Sequence, residues 1–289
     1  VWTDNFKSVW HLEENPAGTA PQMKDSTING YNGSANGSMT SDDLVEAKVA
    51  KGLDFDGSND YINFGNDTSL KRYNTDFTIT SWIRLSSYNN SWVSAILSNR
   101  PTNGGSGSLF FVRGESDSTY KRRITFDADS SSATRMIFGT TQLALNQWYF
   151  VAITFKYNGS NNNVGKIYVN GTQENTISTM SNIKDPGTND TLLGYDTGSS
   201  GYYFNGKIDE LRISSVARSS AWIKADYNSG NDTLIKEELF ILADTGSYAL
   251  TGITTGLKAF RKLLANTGSY ALTGITTGLK AFRKLLVGA

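Results

Sequence analysis

The sequence predicts an all-β protein, a two-sheet antiparallel sandwich with one short C-terminal helix, followed by a small β-rich repeat tail. Three observations carry this. Short runs of alternating apolar residues recur between turns rich in Gly, Asn, Ser and Thr. Only 4 prolines interrupt 289 residues, and 38% hydrophobic content is ample for a packed core. Cysteine is absent, so stability must rest on packing, hydrogen bonds or bound ions, and thiol chemistry is excluded. No run approaches the roughly 18–20 apolar residues of a membrane span, and no basic leader with an apolar core opens the chain.

Residues 6–12 read as a first strand, with Trp10 and Leu12 on one parity. His11, the only histidine, faces the other way. With no second histidine or nucleophile beside it, it reads as a structural polar group without a catalytic role. A polar loop runs to about residue 41. In residues 52–65, Leu53 and Phe55 alternate with Asp54 and Asp56, an Asp-Gly-Ser-Asn turn follows, and Tyr61, Ile62 and Phe64 resume an apolar strand. The stretch reads as a hairpin at the heart of a sheet. In 77–85, Phe77, Ile79, Ile83 and Leu85 share one parity, which sends Trp82 and Arg84 to the face opposite the core. Short strands are expected near 94–97, 108–113, 122–127 and 135–138. The run 148–157 is apolar on both parities, as a central strand covered on both sides should be. After a strand at 206–213, Ser219 caps a helix that carries Trp222, Ile223 and Tyr227. The expected division is a domain over 1–230, a linker over 231–243 and a tail over 244–289.

Leu53–Gly65 (LDFDGSNDYINFG), together with Phe77–Leu85, Trp148–Phe155, Ile167–Gly171 and Gly206–Ile213, resembles in order and spacing the laminin-G-like, concanavalin A-like jelly-roll domains of bacterial and phage surface proteins. The opening segment, from Val1 to Leu12, looks like the junction at which such domains follow another in longer surface proteins, so a fragment is expected. The same sandwich hosts glucanases, whose Glu-x-Asp-x-x-Glu strand would put nucleophile, helper and acid on one face. That motif is missing, and strand alternation sends the adjacent Asp209 and Glu210 to opposite faces. No enzyme activity is expected. For cofactors, calcium is the one candidate. Asp56, Asn59 and Asp60 bunch oxygen ligands in one turn, and the resemblance would bring Asp209 near them. The alternative, that the turn residues bond only turn amides, stays open. For ligands, Trp82 and Arg84 on one face, with Tyr88, Tyr120, Tyr202 and Tyr203 in or beside loops, could stack on sugar rings.

The tail holds one internal repeat: Thr245–Leu264 recurs unchanged at 267–286, a period of 22 residues. Lys258, Arg261, Lys262, Lys280, Arg283 and Lys284 face only Asp244, so the tail carries +5 and the remainder −5. Each copy reads as a strand through Tyr248 and Leu250 (Tyr270 and Leu272), a turn, and a return through Phe260 (Phe282) as a second strand or an amphipathic helical turn. Two strands are favoured, because Gly252 and Gly256 break a helix. Two such hairpins have too little core to stand alone, so the tail is expected to mediate assembly with other chains. It resembles the short tandem repeats that end many tailed-phage virion proteins. The expected function is a non-catalytic virion structural or adhesion protein, a phage fibre, spike or decoration subunit. The alternative is a secreted bacterial carbohydrate-binding module or adhesin. An oligomer at a virion or cell surface is expected, with glycans as ligands and no nucleic-acid partner.

Overall fold

The computed structural model describes residues 2–3, 5–101, 105–128, 135–159, 161–198 and 201–231, together with the backbone of five short strands in the tail. Two units divide at Val1–Gly230 and Asn231–Ala289.

The first unit is the antiparallel jelly-roll sandwich. Its larger sheet runs β13 (Thr172–Met180), β12 (Asn163–Val169), β11 (Tyr149–Lys156), β6 (Phe77–Leu85), β15 (Asn205–Ser214), β4 (Lys51–Asp56) and β3 (Leu44–Glu46), with β1 (Phe6–Trp10) also paired to β15. The smaller sheet runs β10 (Met136–Gln142), β9 (Arg123–Asp127), β8 (Leu109–Arg113), β7 (Val93–Ser98), β14 (Leu192–Leu193), β5 (Tyr61–Asn63) and β2 (Ser34–Asn36). The core lies between them, where Phe77 and Phe155 of the larger sheet meet Phe126 of the smaller at ring separations of 5.7 and 6.3 Å.

The apolar stretch at 52–65 is the junction of the two sheets and not a hairpin. Strand β4 pairs with β15 and β3, whereas β5 pairs with β14 and β2. The alternation is the same in either arrangement. Leu53 and Phe55 enter the core from one layer and Ile62 and Phe64 from the other, and the turn crosses between layers.

Strand β11 is covered on both sides as expected. Its inner face meets the core, and Phe150 and Ala152 lie under helix α1 (Ser220–Gly230) with Trp82, Tyr168 and Ile223. The Ser219 hydroxyl accepts from the Trp222 amide at 3.2 Å and so starts the helix.

In β15 the register slips between Asp209 and Arg212, and Glu210 sits at φ 52°. This is a β-bulge. Ile208 and Leu211 therefore both reach the core, and Asp209 and Glu210, expected on opposite faces, share the outer face.

In the tail, β16 (Ile241–Ala243), β18 (Leu263–Ala265) and β20 (Leu285–Val287) form one parallel sheet, and β17 (Tyr248–Leu250) pairs in parallel with β19 (Tyr270–Leu272). The register sets Tyr248 opposite Tyr270 and Leu250 opposite Leu272. Among the described residues the copies pair with each other, and not as two internal hairpins. Identical segments 22 residues apart offer the same pattern of donors and acceptors, so each copy lies in register on the next. Lys258, Phe260, Arg261, Lys262, Lys280, Phe282, Arg283 and Lys284 lie outside the described residues.

Candidate functional site

The turn after β4 folds around its own carboxylates. Asp56 Oδ1 accepts the amides of Ser58, Asn59 and Asp60 at 2.7, 3.1 and 3.3 Å. Asn59 Oδ1 accepts the Ser38 amide and hydroxyl, and Asp60 accepts the amides of Asp56 and Ser38. Burial pushes the Asp56 carboxyl up, but the three amides outweigh it and hold it below the ordinary range. Asp209 does not join this turn. Asn205 is the β15 residue opposite Asp56, and four residues along a strand is roughly 13 Å. Asp209 instead accepts the Val49 amide at 2.7 Å. No cluster of three or more Asp, Glu, His or Cys that could hold a metal occurs among the described residues. Asp56→Ala is expected to cost about 1–2 kcal/mol through the lost turn bonds. Thermal melts of both proteins, with and without chelator, check this: a loss that appears only when calcium is present would show that Asp56 holds an ion and does not only bond turn amides.

Trp82 and Arg84 do leave the core, but for a covered surface. Trp82 is buried under α1, its ring 5.7 Å from Tyr227 and 5.4 Å from Phe150. Arg84 lies beyond it, its Nε donating to the Asn146 carbonyl. Beside them is a charged network that strand alternation alone could not reveal. Glu210 Oε1 lies 2.6 Å from His11 Nδ1, and Glu210 Oε2 lies 2.6 Å from Arg212 Nη2. The other arm of Arg212 holds Asp226 of α1. Burial raises the Glu210 carboxyl, yet His11 and Arg212 bring it below its ordinary value. The bond to Glu210 raises the pKa of His11. The signal for this site was the adjacent acidic pair in Lys207–Arg212, but only the bulge places both members on one face.

The tyrosines gather on the smaller sheet. Tyr203 stacks on Tyr195 at 4.2 Å, within 9° of parallel, and Tyr195 meets Tyr61 at 5.5 Å. Burial and the Tyr195 hydroxyl push the Tyr203 phenol up to about 12. Tyr61 and Tyr195 line a cleft of about 280 Å3 with Asn63, Asp190, Arg100 and Thr197. Asn63 Nδ2 donates to Asp190 at 2.8 Å, and Arg100 Nη2 lies 2.5 Å from the fully buried Asp196. The cleft thus offers aromatic faces beside oriented amide, carboxylate and guanidinium groups. Gly194, at φ 84°, carries the chain into this wall where a Cβ would strike the Phe55 ring at 2.7 Å. Tyr202 packs over Val93, Ala95, Leu109 and Phe111 on the same sheet's outer surface. Tyr120 stacks on Phe138 at 4.0 Å, and Tyr88 lies under Arg122 and donates to the Leu143 carbonyl. Of the six expected ligand residues none lines the cleft itself; Tyr203 comes nearest, stacked behind Tyr195. Tyr61 was read only as part of an apolar strand, and Tyr195, beside the buried Leu192 and Leu193, was not singled out at all.

The sequence profile described as Laminin_G_3, of the concanavalin A-like lectin/glucanases superfamily, matches residues 56–224. The chain belongs to this family. Solved structures share the fold at low identity. The binding domain of Paraclostridial Mosquitocidal Protein 1 superposes with a TM-score of 0.59 at 16% identity, covering 78% of this chain and 52% of that one. Domain 4 of AbnA, an extracellular arabinanase from Geobacillus stearothermophilus solved with arabinotriose, gives 0.57 at 16% identity over 77% of this chain and 98% of that domain. The receptor binding domain of botulinum neurotoxin type G gives 0.52 at 17% identity, with 78% of this chain and 51% of that one covered. The chain therefore spans about half the length of the toxin domains it matches and nearly all of the arabinanase domain. Comparison with curated proteins gives no match. As a Laminin_G_3 domain, the chain keeps the family's two-sheet frame and adds the repeat tail beyond the matched region. Among the described residues no helix is long and apolar enough to cross a membrane.

Proposed function

We propose that this chain is a non-catalytic glycan-binding adhesion domain whose repeat tail attaches it to a virion, as part of a phage fibre, spike or decoration. The tyrosine-lined cleft is the observation that carries the glycan reading. A sugar ring stacks its C–H face on an aromatic ring and bonds its hydroxyls to planar polar groups, and the cleft supplies both within one wall. Its volume, slightly below the roughly 300–1,000 Å3 of larger ligand sites, suits a terminal sugar or a short branch. The arabinanase domain with its bound arabinotriose and the toxin binding domains share the frame, which supports a binding role by analogy. Asp209 and Glu210, the acidic pair nearest to a hydrolase arrangement, are buried and engaged by the Val49 amide, His11 and Arg212, which supports a role without catalysis.

The tail supports attachment. Its two outermost parallel rungs, β16 and β20, each have one edge unpaired among the described residues, and such edges accept strands from other chains. A second reading, a module of a longer secreted bacterial protein, is favoured by the 98% coverage of the arabinanase domain. A glycan array probed with the full chain tests the binding role. Tyr195→Ala is expected to weaken the best hit about tenfold while the melting temperature stays within a few degrees. Loss of residues 231–289 is expected to leave that binding intact and to abolish copurification with virus particles. No hit on the array, or equal affinity in Tyr195→Ala, would refute the cleft. Undiminished copurification after truncation would remove the tail's role.

A further inference from the structure

At the end of the smaller sheet away from Asp127, the outer face carries a ridge of aromatic and guanidinium groups that the cleft does not use. Register fixes its members. Val93 lies opposite Arg113 and Thr125 lies opposite both Phe111 and Phe138, so Arg113, Arg123 and Phe138 rise from the same face. The Arg113 guanidinium lies 5.4 Å from the Trp92 ring and 5.7 Å from Phe138, and Tyr120 stacks on Phe138 within 13° of parallel.

The ridge is pre-built and partly open. Asp117 accepts the amides of Thr119 and Tyr120 at 2.9 and 2.8 Å and pairs with Arg113, which fixes the loop that presents Tyr120. Gly114 donates to the Trp92 carbonyl, and a Cβ there would lie 2.2 Å from the Ser91 carbonyl oxygen. Trp92 is nevertheless 46% exposed and Tyr120 37%, two of the four large hydrophobics left exposed among the described residues.

The charges are unbalanced in one direction. Arg113 has Asp117, and Arg122 and Lys121 share Glu115 at 2.5 and 3.6 Å. Arg123 has no carboxylate within ion-pair distance among the described residues. Its Nε is buried without a hydrogen-bond acceptor, and its guanidinium rests 5.8 Å from the Tyr120 ring. Four cations thus meet two carboxylates on a chain whose residues 1–243 carry −5. Arg123 as a residue is only half-buried, so its unpaired guanidinium can take a charge-assisted bond from an anion presented from solvent.

We propose that this ridge is a second sugar-binding surface, separate from the cleft, that selects a carboxylated sugar, with Arg123 holding the carboxylate while Tyr120 and Trp92 pack on the ring. A flat anion bonded by a guanidinium beside exposed aromatic rings matches a uronate or another acidic sugar better than an acidic peptide, whose carboxylates bring no ring to stack.

Calorimetric titration of the full chain with trigalacturonate and with neutral galactotriose tests the assignment. Wild-type protein is expected to bind the acidic trisaccharide at least about tenfold more tightly, with affinity falling as salt rises. Arg123→Gln and, independently, the exposed Tyr120→Ala are expected to remove about tenfold or more of the acidic affinity. Tyr195→Ala is expected to leave it unchanged, which separates this surface from the cleft whatever becomes of the cleft. Equal affinity of Arg123→Gln and wild type, no binding of trigalacturonate, or equally tight binding of a tri-glutamate peptide would each overturn the proposal.

Discussion

Arg212→Ala is expected to destabilise the jelly roll by about 3–5 kcal/mol, much of the 5–15 kcal/mol typical of a domain. Arg212 is the cation that binds strand to helix: one arm holds Glu210 beside it on β15, and the other holds Asp226 on α1. The side chains of Glu210 and Asp226 are 4% and 7% exposed, so water cannot take over from the guanidinium. Removing it leaves Glu210 only His11 and deprives Asp226 of its counter-ion in a site where burial already raises its carboxyl above the ordinary range. The Trp2 ring, 4.9 Å from the guanidinium, loses its cation as well. Urea denaturation of the single variant and of the triple variant with Glu210→Gln and Asp226→Asn checks the cause. The triple variant is expected to regain most of the loss, because it buries no uncompensated charge. A single variant within about 1 kcal/mol of wild type would show the network to be dispensable.

Asp209→Asn should act in the opposite direction, by an amount that grows between about pH 4 and pH 7. Burial, then the neighbouring Glu210 charge, pushes the Asp209 carboxyl up to about 7 against the pull of the Val49 amide. Lys48 lies on the same side, its ammonium 4.8 Å from the Trp82 ring, and Trp82 is the residue opposite Asp209 in β6. Because the folded form holds its proton to higher pH than the unfolded chain, this group's stabilising share is full below about pH 4. It declines as pH rises and is lost above about pH 7. An asparagine accepts the same amide and never ionises. The variant is expected to lie within about 1 kcal/mol of wild type at pH 4 and to exceed it by roughly 2–4 kcal/mol at pH 8, as read from melting curves at both values. His11 titrates in both proteins, so the difference between them isolates Asp209. A gain of the same size at both pH values would trace it to packing instead.

Much of the frame was legible because a period of two survives in the sequence wherever one face of a strand is buried. Strands β6, β11 and β15 and the helix capped by Ser219 all followed from apolar spacing. Strand β13 did not, since Thr172–Met180 lies at a sheet edge with only Met180 buried and so carries no apolar pattern. Alternation also does not state which sheet a strand joins, and a junction between sheets therefore read as a hairpin. The site was harder to read. Asp209 and Glu210 share a face only because Glu210 adopts a left-handed backbone, which nothing in the residue type announces. Trp82 kept its expected face, but the helix that covers that face lies some 140 residues further along the chain. Tyr61 and Tyr195 meet across 134 residues, a contact that no local pattern encodes.

The in-register stacking of the tail makes its length a counted quantity. The described strands of one copy lie in register on the same strands of the other, so by that pattern gaining or losing one whole 22-residue copy would add or remove one rung per sheet, about 4.8 Å. Insertions of any other length would break the register that pairs Tyr248 with Tyr270. Such a segment behaves as a ruler graduated in copies. Unequal exchange between the two repeats can lengthen or shorten it in a single event while the jelly roll ahead of it keeps its sequence.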